Sequence, residues 1–106
     1  MSKGYDTFCP IASSIIPINK IPETKSLEIR CFVNGKLRQH GHLSDMIFDI
    51  PSIIEYTSRI MTLEPNDIIL TGTPEGVAPI KPGDTIKAEL VGHQEISFSV
   101  INRSYL

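Results

Sequence analysis

The sequence has no tryptophan and only two cysteines among its 106 residues. Cys9 and Cys31 show neither Cys-x-x-Cys spacing nor histidines at zinc-finger spacing. This excludes a disulfide scaffold or zinc ribbon and leaves two free thiols, as expected in a reducing compartment. No apolar stretch approaches the ~20 residues of a membrane span. The opening Met-Ser-Lys-Gly-Tyr-Asp-Thr-Phe carries charge but no apolar segment of the secretory kind. Cytoplasmic location and no membrane partner are therefore expected. Charge of one sign is never concentrated: 10 Lys and Arg stand against 12 Asp and Glu, a net of −2. A nucleic-acid-binding face would need a basic cluster, so no nucleic-acid partner is expected. A Walker Gly-Lys-Ser/Thr and a Gly-x-Ser-x-Gly elbow are also missing.

What remains is a chain for one small domain, punctuated by 8 prolines and 7 glycines. Residues 1–24 hold Pro10, Pro17 and Pro22, so an irregular lead segment is expected there. Residues 27–33 alternate, with Leu27, Ile29, Cys31 and Val33 on one side and Glu28, Arg30 and Phe32 on the other. Asn34-Gly35 then signals a two-residue hairpin and a return strand over 36–40. One helix is expected over about 50–62, from Ile50, Ile53, Ile54, Thr57, Ile60 and Met61. Asp49 would cap it, Pro51 fits its first turn, and the isoleucine face would be core. Pro-initiated turns at 63–67 and 80–84 feed expected strands at 68–70 and from 85 onward. Gly92-His93 turns into a last strand carrying Ile96, Phe98 and Val100. The fold class is α+β, β-dominated, with four or five strands and one helix.

Few residues suggest chemistry on their own. Thr71-Gly72-Thr73-Pro74-Glu75-Gly76 follows the expected strand at 68–70 and offers hydroxyls beside glycines. Such a loop can hold a carboxylate or phosphate on its backbone N–H groups; a plain tight turn is the simpler reading. His40 and His42 would share a strand face and could chelate a metal, but no third ligand has a suggestive spacing. Two exposed imidazoles at a hairpin end is the simpler reading. Asp45 and Asp49 read as caps rather than an acid–base pair, and Ser44 lacks evident His and Asp partners.

Four segments in order carry a resemblance. They are Lys3 to Pro10, Val33 to Gln39, Ser44 to Pro51 (Ser-Asp-Met-Ile-Phe-Asp-Ile-Pro) and Met61 to Val77, which contains Leu-Thr-Gly-Thr-Pro-Glu-Gly-Val. Together they resemble the fumarylacetoacetate hydrolase family in its C-terminal half. The small acylpyruvate hydrolases and oxaloacetate decarboxylases resemble the chain more than the larger tyrosine-degradation enzyme does. The resemblance implies the C-terminal part of a mixed β-sandwich or roll. It also implies Mg²⁺- or Mn²⁺-dependent chemistry on short 2-oxo acids, the metal acting as a Lewis acid on an enolate. Lys3 matches the family's catalytic lysine, Thr7 a threonine near its cation site, and Gly72 and Thr73 the loop that binds the substrate carboxylate.

There are departures too. His42-Leu43 stand where Asn-Thr is common, Ala78 where Gly is common, and Ser2 where Ala is usual. The family's Glu-x-Glu and Asp metal ligands and its His-Glu pair cannot be matched in this chain. A lysine and a threonine do not hold Mg²⁺. Residues 1–106 are thus expected to be a single partial domain that binds no metal by itself and is inactive without a complementing N-terminal-half chain. A second reading is a non-catalytic fragment that forms a homo-oligomer. The first eight or so residues, Lys3 included, are expected to be mobile or displaced from a catalytic position.

Overall fold

A computed structural model describes residues 2–21 and 23–103. The core element is a four-stranded antiparallel sheet of order β2-β1-β3-β4, with β1 Glu28–Val33, β2 Lys36–His42, β3 Thr85–Leu90 and β4 Gln94–Ser99. Asn34 (φ 52°) and Gly35 (φ 77°) make the β1–β2 turn, both in the left-handed region that a two-residue hairpin requires. Asn34 also locks that turn to β3. Its amide donates to Asp84 Oδ1 and its carbonyl oxygen accepts from the Thr85 N–H, each at 2.9 Å. The Gly92 turn closes β3 on β4, with the His93 N–H on the Leu90 carbonyl at 2.9 Å.

The sheet's two faces follow the alternation in sequence. Ile29, Cys31 and Val33 share one face with Ile86, Ala88 and Leu90, their opposed partners on β3. Glu28, Arg30 and Phe32 share the other with Lys87 and Glu89. On that polar face Arg30 bridges Glu28 (2.7 Å) and Glu89 (3.7 Å), and the Lys87 ammonium lies 5.6 Å from the Phe32 ring centre. A bulge on β2 leaves Arg38 unopposed: Gln39 faces Cys31 while Leu37 faces Phe32.

Two sequence expectations fail here. The helix forms as α1, Ile50–Ile60, with the Asp49 carboxylate accepting from the Ser52 N–H at 2.9 Å, yet it buries none of its residues. Ile54 is 46% exposed and Ile60 62%, so the isoleucine face is not core in this chain. An amphipathic stripe says which side a helix would bury, but the surface that would cover it must come from elsewhere. Ile68-Ile69-Leu70 likewise forms no strand: the run carries no ladder, and Ile68 and Leu70 are 60% and 56% exposed. Apolar character favours a strand only when a neighbour accepts its hydrogen bonds.

Buried apolar residues are correspondingly few: Leu27 (8% exposed) and Val33 (7%) are those the described residues provide. The accessible surface is 8844 Å², against about 5,900 Å² for a compact monomer of this mass, an excess of about 2,900 Å². The radius of gyration, 15.4 Å, also exceeds the ~13 Å of a compact domain of this length.

Candidate functional site

The loop at residues 71–76 crosses the face of β2 that carries Gln39 and Gly41. Three contacts hold it there. The Gln39 side-chain amide donates to Thr73 Oγ1 and to the Pro74 carbonyl, both at 2.7 Å. Gly41 leaves room for Pro74; a Cβ at Gly41 would stand 3.3 Å from the proline Cβ. Gly76 (φ 106°) packs on the bulge, where an added Cβ would fall 2.1 Å from the Arg38 carbonyl oxygen. Only glycine fits at position 76, both for its backbone angle and for space.

This docking leaves polar groups available. Gly72 takes φ 93°, and the N–H groups of Gly72 and Thr73 make no hydrogen bond to another described residue. Thr73 Oγ1 accepts from Gln39, which leaves its own O–H proton to donate outward. Two grooves meet at Thr73 and Pro74. One, of about 410 Å³, runs over the apolar sheet face past Ile29, Cys31 and Leu90. The other, of about 560 Å³, runs between the loop and the segment from Leu43 to Ile53. Donors at the junction of two apolar-walled grooves can hold one end of a small anion and leave the rest of the molecule against carbon.

Of the other singled-out residues, His42 and Asp45 also line the second groove, and the rest lie elsewhere. Lys3 and Thr7 are exposed, and neither lines either groove. Thr7 has φ 68°, a conformation a β-branched residue adopts at a cost of roughly 1–2 kcal/mol. Asp45 is the one carboxylate lining the groove that holds Thr71, Gly72 and Thr73. A hard cation is held by six or more oxygens from carboxylates, carbonyls and waters, and a single exposed carboxylate already engaged as a cap is a poor anchor for Mg²⁺ or Mn²⁺. Asp45 acts instead as a cap, accepting from the His42 N–H at 3.0 Å. His40 and His42 project on the polar side of the sheet, exposed, with their rings 5.4 Å apart.

Burial raises the Cys31 thiol above its ordinary range, which lowers its share of reactive thiolate. Asp84, beside the hairpin, is held below the usual carboxylate range by the Lys81 N–H and then by the Asn34 amide.

Comparison with known proteins places this geometry. A sequence model described as "Fumarylacetoacetate (FAA) hydrolase C-terminal" matches residues 1–101. The chain belongs to the fumarylacetoacetate hydrolase family. Among relatives in this family, it is 51% identical over 104 residues to a mitochondrial oxaloacetate decarboxylase of Dictyostelium discoideum, covering 97% of this chain and 47% of that one. To the mitochondrial oxaloacetate tautomerase of Homo sapiens it is 47% identical over 105 residues, covering 99% of this chain and 47% of that one. The crystal structure of a Sphingobium maleylpyruvate hydrolase, in complex with manganese(II) and pyruvate, superposes with a TM-score of 0.88 at 40% identity. It covers 92% of this chain and 37% of that one. The chain thus spans about half the length of the curated relatives it matches, and its sheet and helix are the C-terminal part of the family fold.

Gln39, which ties the loop down, went without a role in the sequence reading. It lies inside the segment from Val33 to Gln39 that carries the resemblance, but nothing local distinguishes it from a surface glutamine. Its partners are 34 and 35 residues away, and the β2 bulge sets its direction.

Proposed function

We propose that this chain is the carboxylate-binding part of an enzyme acting on short 2-oxo acids by hydrolysis, decarboxylation or tautomerisation. The supporting observation is the Gly72–Thr73 loop, docked by Gln39 with its N–H groups and one hydroxyl left to donate. Relatives named for oxaloacetate, and a structural neighbour holding pyruvate, fit a ligand with a carboxylate at one end. Thr73 and Gly72 would anchor that carboxylate and so orient the bond to be broken. Lys3 would stabilise negative charge developing on the substrate. It stands outside both grooves here, so this role needs the lead segment to be reseated against the loop.

The chain's own carboxylates do not suit Mg²⁺ or Mn²⁺, so the metal chemistry of the family would require ligands from an N-terminal-half chain. The excess exposed surface, about 2,900 Å² on this one chain, is at least one partner's share of an obligate interface (about 1,000–2,500 Å²), which favours such a partner or a homo-oligomer. Free Cys9 and Cys31 fit the cytoplasm or another reducing compartment.

The test is calorimetric titration of the purified chain with Mn²⁺ and oxalate, alone and mixed with the N-terminal half of a family relative. Binding and 2-oxo acid turnover in the mixture, and in neither half alone, is the expected result. A stable mixed complex without binding or turnover would leave the second reading, a non-catalytic oligomerising fragment.

A further inference from the structure

We infer that Glu28, His40 and His42 form a binding site for a borderline divalent metal ion of the Zn²⁺ class on the polar face of the sheet. Register alone assembles it. Glu28 on β1 is directly opposed to His42 on β2, and His40 lies two residues back on the same side. One donor atom from each residue lies within 4.8 Å of the other two. Tetrahedral zinc with ligands at about 2.0–2.1 Å needs donors about 3.4 Å apart. The widest separation must therefore close by at most about 1.4 Å, within reach of a rotamer adjustment in an exposed imidazole. His40 Nε2 and Glu28 Oε1 are now 2.6 Å apart, a proton bridge that the metal would replace.

The donor set decides the class of ion. Two imidazole nitrogens and one carboxylate suit Zn²⁺, Ni²⁺ or Cu²⁺, whereas Mg²⁺ and Ca²⁺ want oxygen. The neighbours are arranged as outer supports. Asp45 Oδ2 accepts from the His42 backbone N–H at 3.0 Å and lies 4.0 Å from His42 Nδ1, so it would support the ring only after closing by about 1 Å. Arg30 fixes Glu28 Oε1 through Nε at 2.8 Å and Nη2 at 2.7 Å, and its charge is shared with Glu89. The side chains of His40 and His42 are 41% and 47% exposed, so the fourth position opens to solvent. A bound ion would clamp the open end of the β1–β2 hairpin.

The test is titration of the chain with Zn²⁺, and with Cu²⁺ under electron paramagnetic resonance. One equivalent of Zn²⁺ should bind and raise the thermal transition, and the Cu²⁺ spectrum should show coupling to two imidazole nitrogens. His40→Gln or His42→Gln should each weaken binding by more than the ~10–100-fold typical of an outer-support change. His93→Gln should leave it unchanged. All three histidines are exposed, so circular dichroism of the variants should match the parent. Zinc binding that survives the His40→Gln/His42→Gln double variant, or no binding by the parent, overturns the assignment. So does a copper spectrum without nitrogen coupling.

Discussion

Replacing Gln39 with alanine removes both hydrogen bonds that tie the loop at residues 71–76 to β2. Each is 2.7 Å long, one to a hydroxyl and one to a backbone carbonyl. At roughly 0.5–1.5 kcal/mol per neutral bond, the pair is worth about 1–3 kcal/mol. A loop held by that much is docked about 5- to 150-fold more often than one without it, since 1.4 kcal/mol is tenfold. Two measurements read this out. Urea unfolding, with a slope near about 1–1.5 kcal/mol per molar for a chain this small, should lose about 0.7–3 M in its midpoint. Amide order parameters over residues 72–76 should fall from near about 0.85 to below about 0.6. Thr73→Val isolates one of the two bonds, so it should cost about half as much and show coupling to Gln39→Ala in a double-mutant cycle. An unchanged midpoint with unchanged order parameters would refute the tether, and with it the account of how the loop is held with the Gly72 and Thr73 N–H groups unpaired among the described residues.

Other substitutions test neighbouring parts of the argument. Gly76→Ala must both adopt φ 106° and displace the Arg38 carbonyl, so it should undock the loop more severely than Gln39→Ala, seen in the same relaxation measurement. Thr7→Gly should stabilise by up to about 1 kcal/mol, because glycine relieves a left-handed threonine at some entropic cost in the unfolded chain; a loss of thermal stability would count against that strain. Ile54→Ala, at a half-exposed position, should cost about 1 kcal/mol in the chain alone rather than the ~2–5 kcal/mol of a core truncation, and more once a partner covers α1. Asp49 and Asp84 are both held below the ordinary carboxylate range, by Ser52 and by the Lys81 N–H with Asn34 respectively. Their folded-state values lie below their unfolded ones, so their stabilisation is complete above the ordinary range and is lost as pH falls through the lower, folded-state values. Asp84→Asn should flatten that acid limb of an unfolding profile measured from pH 7 downward.

Local signals carried much of this protein. Asn34-Gly35 specifies its turn because both residues tolerate positive φ, and Asp49 with Pro51 marks the start of α1 because a carboxylate can cap and a proline needs no N–H partner there. The alternation in β1 sorted the apolar from the polar face before any partner strand was known, and the ordered segments from Lys3 to Val77 were enough to indicate the family. Pairing across the sheet is a different kind of information. Whether Ile68-Ile69-Leu70 forms a ladder depends on a neighbour with free hydrogen-bonding groups, and whether the stripe on α1 is core depends on a surface to cover it. Neither condition is written in the segment itself. The tether from Gln39 to Thr73 and the placement of Glu28 beside His40 and His42 were likewise decided by register and by the bulge at Arg38. A shift of one residue in that pairing would send every one of these side chains to the opposite face.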